Sequence, residues 1–115
     1  MKHLAIYTSE GIYYPAIDEI MYVEAEDNYS TVYLIDGSKI QVSKSLICFE
    51  QVLVGYGFLR PHNNCLVNPK HIRKYLYQDG GTMVMRNKKE IGVSKRKKSD
   101  YHAGMEQITI RIVWY

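Results

Sequence analysis

The amino-acid sequence predicts a mainly β domain of short, hairpin-linked strands with one or two short helices. Three observations carry this prediction. Eleven tyrosines stand against two phenylalanines and one tryptophan, and Tyr suits a half-buried pleated surface. Apolar and polar residues alternate over short runs, the period of a strand with one buried face. Turn residues punctuate those runs along most of the chain. At 115 residues, with 46% apolar and 23% charged residues, one folded domain is expected, able to bury a core without disulfides or structural metal.

Leu4–Thr8 and Ile12–Tyr14 are expected to pair across Ser9-Glu10-Gly11. Ile20–Glu26 is strand-like, and Ser30–Leu34 sets Ser30, Val32 and Leu34 against Thr31 and Tyr33. Asp36-Gly37 supplies the positive φ of a hairpin turn before Lys39–Val42 returns. Residues 43–54 change to a helical period, with Leu46, Ile47, Phe49 and Leu53 on one face. Ser43 or Ser45 is placed to cap this helix, and Gly55 and Gly57 to stop it.

Phe58–Pro61 is extended, His62-Asn63-Asn64 interrupts it, and Cys65–Val67 is apolar again. Pro61 lacks a backbone donor, which points to a strand edge or a kink. Phe58, Leu66, Val67 and Val93 are expected in the core, and Asn68-Pro69 in a turn. Ile72–Tyr77, Thr82–Met85 and Ile91–Val93 read as strands divided by Asp79-Gly80-Gly81 and Arg86-Asn87. Ser94 is placed to cap a basic helix to about Ala103, with Gly104 ending it. Ile108–Tyr115 alternates like a one-sided strand, an expected edge strand or self-association edge.

The net charge of +3 hides an asymmetry. Residues 1–36 carry one basic side chain against seven acidic ones, whereas residues 37–115 carry fourteen against five. The densest basic stretch runs from Arg86 to Lys98, opposed only by Glu90, and is the footprint expected of a polyanion partner. A solvated lysine face is the plainer account of such a run taken alone.

Four ordered blocks resemble the LytTR domain of bacterial transcriptional regulators. They are Asp18–Ala25 followed by Thr31–Leu34, Ser45-Leu46 opening a helix to Leu53, Phe58–Ile72, and Ile91–Arg96. The third is the most specific, through the order Phe58-x-Arg60-x-His62 and then Val67-Asn68. The resemblance implies an elongated arrangement of small antiparallel sheets with short helices alongside. It makes residues 1–115 a single domain, with a core of about 2–104 and a C-terminal extension at 105–115. It implies sequence-specific double-stranded DNA binding by loops between strands, on repeated promoter sites and as a homodimer, with no cofactor.

Three positions carry over from the family: the loop Asp27-Asn28-Tyr29-Ser30, the pair His62-Asn63, and Lys95-Arg96 after Ser94. Asn28, Ser30, His62, Asn63, Lys95 and Arg96 are thereby candidate DNA contacts. Arg96 has the fork that matches guanine O6 and N7, and the Asn63 amide matches an adenine edge. Lys97 and Lys98, like Lys88 and Lys89, suit phosphate contacts. Asp27 departs from the basic character that many members show in the first loop, and it would repel phosphate. Pro61 replaces a branched apolar residue.

Other classes are poorly supported. His62 and Cys65 have no orienting carboxylate and are expected on opposite sides of an extended segment, so no catalytic pair is predicted. Cys48, Cys65, His62 and His71 lack the clustered spacing of structural zinc. Cys48 and Cys65 are expected as buried free thiols of a reducing cytoplasm, and no signal-peptide or membrane-spanning pattern is visible. An RNA-binding module and an interaction domain that has lost DNA affinity remain as alternatives. A receiver domain would need a further hundred or so residues, so a stand-alone regulator or part of a longer one is expected.

Overall fold

The computed structural model describes residues 2–112. Among the described residues ten strands form: β1 (Ile6–Thr8), β2 (Gly11–Tyr13), β3 (Ile20–Glu26), β4 (Tyr29–Leu34), β5 (Lys39–Val42), β6 (Leu59–His62), β7 (Cys65–Val67), β8 (Ile72–Leu76), β9 (Thr82–Met85) and β10 (Glu90–Gly92). Two α-helices accompany them, α1 (Leu46–Leu53) and α2 (Lys98–Glu106). The strands make three antiparallel sheets, β1-β2, β10-β9-β8 and the central β5-β4-β3-β7-β6. The molecule is elongated, 55 × 31 × 24 Å. The fold is thus mainly β, as the alternation and the resemblance required.

The central sheet is buried on both faces, and the period of two decides which residue goes where. On one face Val23, Val32, Ile40 and Leu66 pack with Leu46, Phe49 and Leu53 of α1 and with Ile6 and Ile17. On the other, Tyr22, Cys65 and Val67 meet Met83, Met85 and Ile91 of the three-stranded sheet and Tyr101 of α2. The register makes this explicit: Val23 opposes Leu66, while its neighbours Tyr22 and Glu24 oppose Val67 and Cys65. Each large apolar side chain buried in these two cores contributes about 1.5–3 kcal/mol relative to exposure. Pro61 lies on the edge strand β6, where the register shifts between Leu59 and His62, so its missing donor breaks no ladder.

Several expectations are corrected. Ile47 and Cys48 are exposed, because Leu46, Phe49 and Leu53 define the buried stripe and positions 47 and 48 point about 100° and 200° away from Leu46. Ser45 is the N-cap residue of α1, yet its hydroxyl lies 3.6 Å from Cys48 Sγ and caps no backbone N–H. The Ser94 side chain likewise makes no cap bond; a 3₁₀ turn at Lys95–Lys97 precedes α2. Gly104 does not end α2 but lies inside it, where a Cβ would come within 2.6 Å of Leu59. Close packing, not chain termination, is the use of that glycine. Residues 108–112 form no strand: the Ile108 N–H and Thr109 Oγ1 both donate to Met105 O and close the end of α2. The rest of the expected C-terminal strand, residues 113–115, lies outside the described residues.

Candidate nucleic-acid interface

Two hairpin tips emerge at one end of the central sheet. Glu26 opposes Tyr29 across the two-residue turn Asp27-Asn28, and His62 opposes Cys65 across Asn63-Asn64. Pairing of Glu24 with Cys65 sets the two hairpins side by side, and the Ala25 N–H donates to Asn64 O (2.9 Å). Asp27 adopts φ 46°, a left-handed conformation that Asp tolerates in tight turns.

The segment leading into α2 is fastened to the second tip. The Ser94 N–H donates to Pro61 O (2.9 Å), and the Lys97 N–H donates to Ser94 O (2.9 Å) to close the 3₁₀ turn. As a result His62, Asn63, Asn64, Ser94, Lys95 and Arg96 line one open depression of about 500 Å³. Four of the candidates, far apart in sequence, therefore share one surface. Asn63, Lys95 and Arg96 are exposed, and His62, Lys97 and Lys98 are half-buried.

The His62 ring has a defined role in the tip. Its Nδ1 accepts from the Asn64 N–H (3.1 Å), which leaves Nε2 to carry the proton of the neutral ring. Burial, with help from the Arg60 guanidinium and against the pull of Glu24, holds the His62 pKa below the usual imidazole range. The neutral ring with Nε2 as donor is the form at pH 7.

Arg60, to which sequence reasoning gave no role, organises the same tip. Its Nη1 donates to Glu50 Oε1 of α1 (2.6 Å) and its Nη2 to Asn63 O (2.9 Å). The guanidinium therefore ties the tip to α1. The Phe58-x-Arg60-x-His62 order was visible, but the partner Glu50, ten residues away, was not.

The first tip is different. Asn28 is exposed at the same end of the sheet but does not line the depression. Ser30 is wholly buried and its hydroxyl donates to Lys44 O (2.7 Å), so it has no free polar group to offer a ligand. Glu26 and Asp27 dominate the local field; Glu26, through its charge and a hydrogen bond, pushes the Tyr29 phenol pKa up, and Asp27 adds to it. The bond from the Ser30 hydroxyl to Lys44 O brings in a cation that sequence reasoning passed over, Lys44, exposed near this tip where β5 ends opposite the start of β4.

His62 and Cys65 oppose each other directly and so share a face, contrary to expectation. Burial pushes the Cys65 thiol pKa up to about 12, which keeps it protonated and unsuited to nucleophilic attack. Among the described residues no group of three or more His, Cys, Asp or Glu is placed to hold a metal ion, and no helix is long and apolar enough to cross a membrane.

A two-core β domain that gathers imidazole, amide, guanidinium and ammonium donors at one end presents a surface suited to a nucleic acid. The family model described as LytTr DNA-binding domain matches residues 10–104. The chain belongs to that family, and is thus a DNA-binding domain of the kind that serves transcription regulation. No curated protein matches it significantly. Among solved structures, it is similar to the LytTr DNA-binding domain of a proposed methyl-accepting/DNA response regulator from Bacillus cereus. The two superpose with a TM-score of 0.78 at 23% identity, over 91% of this chain and 97% of that one, which is a likeness of fold.

Proposed function

We propose that the chain binds double-stranded DNA sequence-specifically as part of a bacterial transcriptional regulator, reading bases from the β6–β7 tip and from the segment between β10 and α2. The observation that supports this most is the shared depression of His62, Asn63, Lys95 and Arg96. In this reading Arg96 binds guanine O6 and N7 with its fork, Asn63 pairs its amide with an adenine edge, and His62 donates from Nε2 to a base or phosphate oxygen. Lys95, Lys97 and Lys98 neutralise phosphates and supply affinity without sequence preference. Asn28 is a peripheral contact, and Ser30 is removed from the contact set because its hydroxyl is spent on Lys44 O. Two copies act on one repeated site, in the cytoplasm, where the two free cysteines fit a reducing setting.

The test is an equilibrium titration of a duplex enriched from a random-sequence library, a scrambled duplex and single-stranded RNA, at two salt concentrations. The enriched duplex should bind tightest, and its affinity should fall steeply with salt. Lys95→Ala should weaken both duplexes alike and reduce the salt slope by about 1. Preference for RNA, or equal binding to both duplexes, would contradict the proposal.

A further inference from the structure

The β8–β9 turn, Tyr77 to Gly81, lies beside the α2 start and has no part in the interface described above. Tyr77 is 92% exposed, although it follows a strand whose other aromatic, Tyr75, packs against the second core. An aromatic ring left in water at a turn tip contributes little to folding, so the core does not account for it. The turn is nevertheless firmly held. The Val93 N–H donates to Gly81 O (3.0 Å), one residue before the segment that carries Lys95 and Arg96. A Cβ at Gly81 would collide with the Tyr75 hydroxyl, and Gly81 takes φ 117°, so only glycine fits there. The Tyr77 ring stands edge-on to Tyr75 (6.0 Å), which stacks on Tyr101 of α2 (5.3 Å).

Lys98 completes the arrangement. Its Nζ reaches over the turn, 3.7 Å from where a Cβ of Gly80 would sit. Tyr77 thus offers a phenol hydroxyl and Lys98 an ammonium at one turn. Asp79 is the acid of this turn and Asp100 stands in the first turn of α2, while Lys98 is the cation that reaches over the turn. The surface continues the basic segment on the side of α2 that packs against the three-stranded sheet.

We propose that Tyr77 adds a further contact with DNA, joining Lys98, already assigned to phosphate, on the backbone of the duplex that flanks the bases read by Asn63 and Arg96. Tyr hydroxyls and Lys ammoniums are both common phosphate donors, and such contacts fix register without reading sequence. The inference rests on the duplex-binding reading of the chain. A second copy of the protein is the rival occupant of this surface.

The test compares wild type, Tyr77→Phe and Tyr77→Ala on an enriched duplex and on the same duplex trimmed stepwise from each end. Trimming one flank should cost wild type about 3- to 10-fold in affinity. Tyr77→Phe and Tyr77→Ala should lose part of that increment on the long duplex, Lys98 keeping the rest, and match wild type on the trimmed one. Variants equal to wild type on every length, or weaker by the same factor on every length, would overturn the flank contact and leave the base-reading site standing. Loss confined to the binding of a second copy, seen by sedimentation on a two-site duplex, would assign the surface to protein contact instead. Failure of wild type to prefer any duplex would overturn both readings.

Discussion

The β3–β4 and β6–β7 hairpins are neighbours in one sheet, with two-residue tips at the same end, yet they differ in chemistry. The β6–β7 tip is held from three sides, by Arg60 on Asn63 O, by His62 Nδ1 on the Asn64 N–H, and by the Ala25 N–H on Asn64 O. Its remaining donors face the cations of the segment before α2. The β3–β4 tip carries Glu26 and Asp27, joins Tyr29 to Glu26 (3.3 Å), and folds Ser30 inward. In the proposed reading, position at the end of a sheet does not by itself make a reading loop; rigid support combined with unspent donors beside cations does, because each phosphate contact gains from counterion release and a carboxylate opposes it.

The largest change expected from breaking this contrast is at the support. Arg60→Ala removes the tie between Asn63 and α1 while leaving every proposed contact residue in place. Affinity for an enriched duplex should fall by about 1.5–3 kcal/mol, the range for hydrogen bonds to a charged group. The Asn63 amide resonance should move in the free protein as well. A displaced resonance with unchanged affinity would show that the support does not matter for binding.

A smaller effect is expected from making the acidic tip less unlike its neighbour. Asp27→Asn keeps a residue that tolerates left-handed φ and removes the negative charge. It should raise affinity for enriched and scrambled duplexes equally, by a few tenths of a kcal/mol, as expected for one exposed charge. Titration at two salt concentrations checks this, and a gain on only one sequence would mean that the tip reads bases.

The smallest effect is a pH response confined to one tip. The His62 pKa is lowered in the fold, so its neutral ring stabilises the protein fully above the ordinary value of about 6.5. That stabilisation is lost as pH falls through the lowered folded value, because the half-buried ring must then carry a charge; its protonated Nδ1 then no longer accepts from the Asn64 N–H. In an NMR titration the Asn64 amide should shift below pH 6.5 while the Asn28 amide stays still. Equal shifts at both would undo the distinction.

Much of this fold was legible because local rules agreed. The bounds of Ile20–Glu26, Lys39–Val42 and Thr82–Met85 follow directly from alternation and from turn residues such as Asp36-Gly37. Ser30 is more instructive. Its alternation with Val32 put the two on one face, and the carry-over from the family made it a DNA contact; the structure buries that face in a core. Gly104 was misread since a glycine that stops a helix and one that admits Leu59 look alike in sequence. The Arg60–Glu50 pair, the Pro61–Ser94 bond and the placing of Lys44 beside a hairpin tip depend on contacts between elements, which no local pattern encodes.

The contrast between the two tips is tested most directly by Asn63→Ala, Arg96→Ala and Asn28→Ala, each titrated with an enriched duplex and its scrambled counterpart. Asn63→Ala and Arg96→Ala should each lower the preference for the enriched duplex by about 1–3 kcal/mol. Asn28→Ala should leave that preference unchanged. Preference lost in Asn28→Ala and kept in the other two would contradict the assignment of base reading to the β6–β7 tip and the segment before α2.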